Sequence, residues 1–179
     1  MYYVYVAGYI LLAAAMQLFT GNFPVSFLAF PLNIIFAAIW LFLLWILYKE
    51  YNNLRITRFL GSSKASVLSI SLFIGGCLII GLFPQLSEPE AEMRNGISAS
   101  LGCYNFMTSW IFISILLLLL SNLAMITIHA CRHRKQARWR FILNHTGFWL
   151  CLLDFWVAVT RRHYAYLYIK VNRHTRHST

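Results

Sequence analysis

No lysine, arginine, aspartate or glutamate occurs between Met1 and Tyr48, and most of the chain's 15 basic and 5 acidic residues gather in short blocks between apolar stretches. An uncharged run of that length is what a helix needs to cross a hydrocarbon layer roughly 30 Å thick, which takes about 20 mostly apolar residues. A soluble chain of 179 residues has too little interior to hide several such runs. Composition agrees. Hydrophobic residues make up 60% of the chain, where a globular domain has roughly 45–50%. Charged residues make up 11%, where about 25% is usual. These values exclude a soluble enzyme, a disordered regulator and a disulfide-stapled secreted domain. The net charge of +10 does not point to nucleic acid, because no soluble domain carries it.

Five segments qualify as spans, at about 4–20, 32–48, 65–83, 109–129 and 141–160. Gly21-Asn22 supplies a stop for the first, Pro31 suits the first turn of the second, and Pro84 ends the third. The fifth is the least apolar, since it holds Asn144, His145 and Asp154. The first lacks the charged flank of a signal peptide and leads straight into another span, so it is read as retained. The expectation is an all-α membrane protein: a bundle of about five transmembrane helices over 1–160, then a basic extramembrane tail over 161–179.

Orientation follows from the loops. The Lys49–Lys64 and Arg132–Arg140 loops are basic and are expected to face the cytoplasm, and the acidic Pro84–Met107 loop to face outward. Five crossings then put the N-terminus inside and the tail outside. The tail's Arg161, Arg162, Lys170, Arg173 and Arg176 run against the rule. Either segment 141–160 is re-entrant, or the tail is translocated despite its charge; the second is the reading adopted. Within the tail, Tyr164, Tyr166 and Tyr168 alternate with apolar residues, a β-prone pattern of period two.

Several side chains bear on chemistry. His145 is an ionisable group inside a membrane segment, which costs roughly 2.5 kcal/mol or more if charged, so a partner or a ligand is expected there. Neutral imidazole is a good axial ligand for haem iron, and Asn144 or Thr146 could orient the ring. The alternative is a hydrogen bond to a carbonyl or hydroxyl on a neighbouring helix. Asp154 lies nine residues on, on the opposite helix face and roughly 13 Å away along the axis, so it pairs instead with Arg161 or Arg162. His129 and His133 share a helix face with Cys131 nearby, but two ligands among Arg132 and Arg134 read as a stop-transfer cluster rather than a metal site. A haem held between His129 and His145 remains an open arrangement. The four cysteines show no Cys-x-x-Cys-His spacing, so no covalent haem attachment is expected. Ser71-x-x-x-Gly75 and Cys77-x-x-x-Gly81 offer small faces for helix contact, Asn122 reads as interhelical glue, and Tyr2, Tyr3, Tyr48, Trp110 and Trp139 as an interfacial belt. No nucleophile–base arrangement, phosphate loop or paired carboxylate points to catalysis.

The stretch Phe141-Ile142-Leu143-Asn144-His145-Thr146-Gly147-Phe148-Trp149 resembles the Asn-His-x-Gly opening of a membrane helix in the ResB/CcsB-type cytochrome c biogenesis proteins, including the fused CcsBA form. Supporting pieces are Gln17-Leu18-Phe19-Thr20-Gly21-Asn22, Phe30-Pro31-Leu32-Asn33, Arg58-Phe59-Leu60, Gly81-Leu82-Phe83-Pro84-Gln85 and Ser109-Trp110-Ile111-Phe112. The resemblance covers nearly the whole chain and matches the membrane part of that family. It implies a component of cytochrome c maturation that helps hold or pass haem, with His145, Asn144 and Gly147 at the haem site. It also implies a CcsA-like haem-handling protein and apocytochrome c as partners, beside membrane lipid. Without the resemblance, two readings stay open: a non-enzymatic membrane scaffold subunit, and a haem b electron-transfer subunit.

Overall fold

The computed structural model describes residues 2–24, 32–51, 53–87, 90–91, 93–132, 139–140, 142–152 and 154. These residues are predominantly helical, with no strand among them. Among the described residues four helices have the length and apolarity to cross a membrane: α1 (Tyr2–Thr20), α2 (Leu32–Glu50), α4 (Ser63–Leu82) and α6 (Trp110–Arg132). Between them lie a short helix α3 (Arg55–Leu60), a single turn α5 (Ile97–Ser100) and a 3₁₀ helix over Cys103–Thr108. Residues 142–152 form a further helix, α7. The helices start and stop within two or three residues of the apolar runs. Ser62 sets the start of α4, its hydroxyl accepting the Ala65 amide at 3.3 Å, the usual capping role of serine.

The bundle is organised around α6. Of its spanning window 67% is buried, against 17%, 11% and 17% for α1, α2 and α4. The aliphatic run Ile115–Leu120 is therefore the centre of the molecule, and α1, α2, α3 and α4 each lean on it. Burial in lipid gains no hydrophobic drive, so close packing and satisfied polar groups decide which face turns inward. The polar residues in the spans follow that logic. Gln17, Ser69, Ser114, Ser121 and Asn122 are all buried, and most of the large apolar residues of α1 and α2 face outward.

The small faces expected on α4 are not the ones used. A side chain added at Gly75 or Gly81 would meet nothing within 4 Å, whereas one at Gly76 would lie 3.2 Å from the Phe112 ring. The contact face is Ala65, Ser69 and Gly76. Spacing alone gives a helix two equally plausible small stripes, and the partner's bulky residues choose between them. The belt needs a similar correction. Tyr3 and Trp139 are exposed, as interfacial anchors are, but Tyr48 is buried against α6, and the Trp110 ring meets Phe23 edge-on at 4.8 Å.

α7 runs antiparallel to α6. Leu152 joins the core of Ile113, Leu116, Leu119 and Leu120, and His145 sits beside Asn122 and Ile126. The end of the fifth expected span, the tail with its tyrosine alternation, His133, and the Arg161 and Arg162 proposed for Asp154 lie outside the described residues.

Candidate functional site

Polar groups inside an apolar bundle collect at two levels. Towards the acidic-loop end, Gln17 in the last turn of α1 is 3% exposed. Its amide nitrogen donates to Asn22 Oδ1 at 2.8 Å, and its Oε1 accepts the Trp110 amide N–H at 2.9 Å. The Phe23 amide donates to the Thr108 carbonyl at 2.9 Å. The chain passes close to this amide through Gly102, whose φ of +73° belongs to glycine, and a Cβ there would lie 2.8 Å from Gln17 Nε2. Gln85 stitches the same loop: its nitrogen donates to the carbonyls of Phe83 and Cys103, and its oxygen accepts the Phe106 amide at 3.0 Å. The result is an ordered cap on α6. A recess of about 380 Å³ beside it is lined by Gln17, Thr20, Asn22, Tyr104 and Asn105 among others. Among the described residues it offers hydrogen bonds and no carboxylate or ammonium group. Cys103 lies in this cap, and partial burial pushes its thiol above the usual cysteine range.

Towards the basic-loop end, α4, α6 and α7 flank a half-open cleft of about 210 Å³. Ser66, Asn122, Asn144 and His145 are its polar lining, and Leu119, Ile126 and Phe148 contribute apolar wall. Asn122 is 2% exposed, and its amide donates to the Leu60 carbonyl at 2.5 Å, tying α6 to the turn between α3 and α4. This is the interhelical role expected of it. His145 and Asn144 both line the cleft; Gly147 does not, and a Cβ added there would meet nothing within 4 Å among the described residues.

His129 is not part of that cleft. Its Nδ1 lies 3.3 Å from the Tyr48 hydroxyl, with the rings edge-on at 6.1 Å, so the residue is engaged towards α2. The structure therefore does not gather His129 and His145 into one site. Among the described residues no group of three His, Cys, Asp or Glu side chains comes together as a metal site would require.

The residues at the cleft meet part of what haem requires. An imidazole and neighbouring amides suit one axial bond and its orientation. The cleft volume falls below the roughly 300–1,000 Å³ of sites that bury a small molecule, so a porphyrin would be only partly enclosed by this chain.

His145, Asn144 and Asn122 stand out in the sequence because each is a polar interruption of an apolar run. Gln17, Gln85 and Gly102 carry no such signal, since each acts on residues distant in sequence or at a loop turn. Comparison with known proteins adds no family: no protein-family model matches the chain, and no curated protein or solved structure matches it.

Proposed function

We propose that the chain is a ResB-like membrane component of cytochrome c maturation, in which His145 gives a nitrogen ligand to haem as cargo and partner proteins supply the rest of its path. The observation that carries this reading is the cleft where His145, Asn144, Asn122 and Ser66 converge within an otherwise apolar bundle. His145 is half-buried and Asn144 exposed at this cleft, and an ionisable side chain within a membrane segment calls for a partner or a ligand. Asn144 orients the ring, whereas Gly147, the third residue the resemblance assigns to the site, does not line this cleft. The small volume of the cleft favours a site completed by a second protein, which suits a carrier that must release what it holds. A CcsA-like protein and apocytochrome c are the partners this role calls for.

The same reading sets the topology: a bacterial inner membrane, five crossings, the N-terminus in the cytoplasm and the tail in the periplasm. It is supported by Lys49, Arg55, Arg58 and Lys64 lying together where α2 ends and α4 begins, at the opposite end of the bundle from the acidic loop. The antiparallel run of α7 along α6 supports a fifth crossing.

A second reading, a scaffold subunit with a structural histidine, is favoured by Asn122, whose bond to Leu60 shows polar groups here serving helix contacts. A haem b electron-transfer subunit has less support, because His129 is engaged with Tyr48. The visible spectrum of the full chain purified from haem-replete cells separates them. Our reading expects a Soret band that is lost or strongly reduced in His145→Ala, with the melting temperature retained. A colourless, folded wild-type protein would overturn it in favour of the scaffold.

A further inference from the structure

α1 and α2 both lean on α6 but barely touch each other. The gap between them is a groove of about 300 Å³. Tyr5, Val6 and Tyr9 of α1 form one wall, and Trp40, Leu44 and Leu47 of α2 the other. Leu117, Leu118 and Ser121 of α6 form the floor, and α3 closes the basic end with Arg55, Ile56 and Phe59.

Most polar groups in this groove are satisfied internally. The Tyr9 hydroxyl donates to the Ser114 carbonyl at 3.2 Å, and Ser121 donates to the Leu117 carbonyl at 2.6 Å. The exception is Trp40. Its indole nitrogen is buried and has no hydrogen-bond partner among the described residues. A buried donor left unmatched costs about 1–3 kcal/mol, so a wall residue of this kind calls for an acceptor beyond the described residues.

We propose that this groove is a binding site for an anionic phospholipid of the leaflet on the basic-loop side. One acyl chain lies along the apolar walls, and the headgroup phosphate meets Arg55. The charge argument fixes the class of ligand. Arg55 stands at the closed end of the groove, and Lys49, paired with Glu50 at 3.5 Å, and Arg58 lie nearby in sequence on α2 and α3, two of the elements that frame it. Cytoplasmic leaflets carry anionic lipid, and each basic residue near such a surface contributes attraction. The lipid would fill the seam between two helices that do not otherwise hold each other. This site is separate from the His145 cleft, which lies against α4 and α7.

Native mass spectrometry of the detergent-purified full chain, with added phosphatidylglycerol or phosphatidylcholine, tests the proposal. Phosphatidylglycerol is expected to be retained preferentially. Arg55→Gln should lower that preference roughly fivefold, the loss expected for one basic residue. Leu47→Trp, which fills the groove, should reduce retention of both lipids while the melting temperature holds. Equal retention of the two lipids by the wild type would overturn the proposal, as would unchanged retention in Leu47→Trp. Photocross-linking from position 5 to a polypeptide rather than to lipid would also overturn it, marking the groove as a seat for a partner helix.

Discussion

Gln17 and Trp110 are 93 residues apart in sequence, yet Gln17 Oε1 accepts the Trp110 amide N–H at 2.9 Å. The first amides of a helix have no partner within it. Here the last turn of α1 satisfies the first residue of the central helix, and the rest of that amide is bound by Asn22. The entry of α6 is thereby fixed relative to α1.

Replacing Gln17 with Leu should therefore destabilise the protein by about 1–3 kcal/mol, the cost of a buried donor left unmatched. The check is unfolding in detergent with increasing SDS, followed by tryptophan fluorescence. Thr20→Val is the control, because Thr20 bonds only its own helix, at the Met16 carbonyl, and is exposed; it should change stability by less than about 0.5 kcal/mol.

Two adjacent glycines in α4 should behave oppositely. Gly76→Val forces a side chain against the Phe112 ring, 3.2 Å from where its Cβ must sit, and overpacking of that kind costs about 1–3 kcal/mol. Gly75→Val meets nothing within 4 Å and should be neutral within about 0.5 kcal/mol. The same SDS titration reads both. Equal effects would show that α4 does not present Gly76 to α6.

Asn122 links the middle of the bundle to the basic end through the Leu60 carbonyl. Polar contacts between membrane helices average about 0.6 kcal/mol and reach about 1.7. Asn122→Leu should cost an amount in that range and loosen the turn at Gly61-Ser62, seen as faster hydrogen exchange of the Ser62 and Ala65 amides.

Cysteine chemistry tests both sidedness and environment. Cys103 lies in the cap on the acidic-loop end, and Cys131 is exposed in the last turn of α6 at the other end. In single-cysteine variants, a membrane-impermeant maleimide should reach Cys103 from outside intact cells and Cys131 only after permeabilisation. Burial raises the Cys103 thiol above its usual range. The thiolate is the reactive form, so a raised thiol is less ionised at neutral pH. Labelling of Cys103 should therefore be slower than that of a free thiol at pH 7 and should approach it as pH rises. The reverse labelling pattern would invert the topology.

Much of the architecture is written locally. The four spanning helices are apolar runs of the right length, and even their ends follow Gly21, Pro84 and the charged blocks. His145 and Asn122 were visible for the same reason, as polar residues where lipid tolerates few. What local pattern does not carry is choice of partner. Gly75 and Gly76 look alike in sequence, and only the position of Phe112 distinguishes them. Tyr48 sits where an interfacial anchor would, but a neighbouring His129 turns it inward. Gln17 and Gln85 act on backbone groups brought near by the fold, so nothing in their own surroundings announces the role.

The central claim is that position 145 exists to present a nitrogen to haem iron, and cavity rescue tests it most directly. The full chain carrying His145→Gly is mixed with haem, and its absorption spectrum is recorded with and without free imidazole. The account predicts that the variant loses the Soret feature of the wild type and that imidazole restores it, because the small molecule re-enters the cleft beside Asn144. A variant whose spectrum matches the wild type without imidazole would contradict the account and return the histidine to a purely structural role.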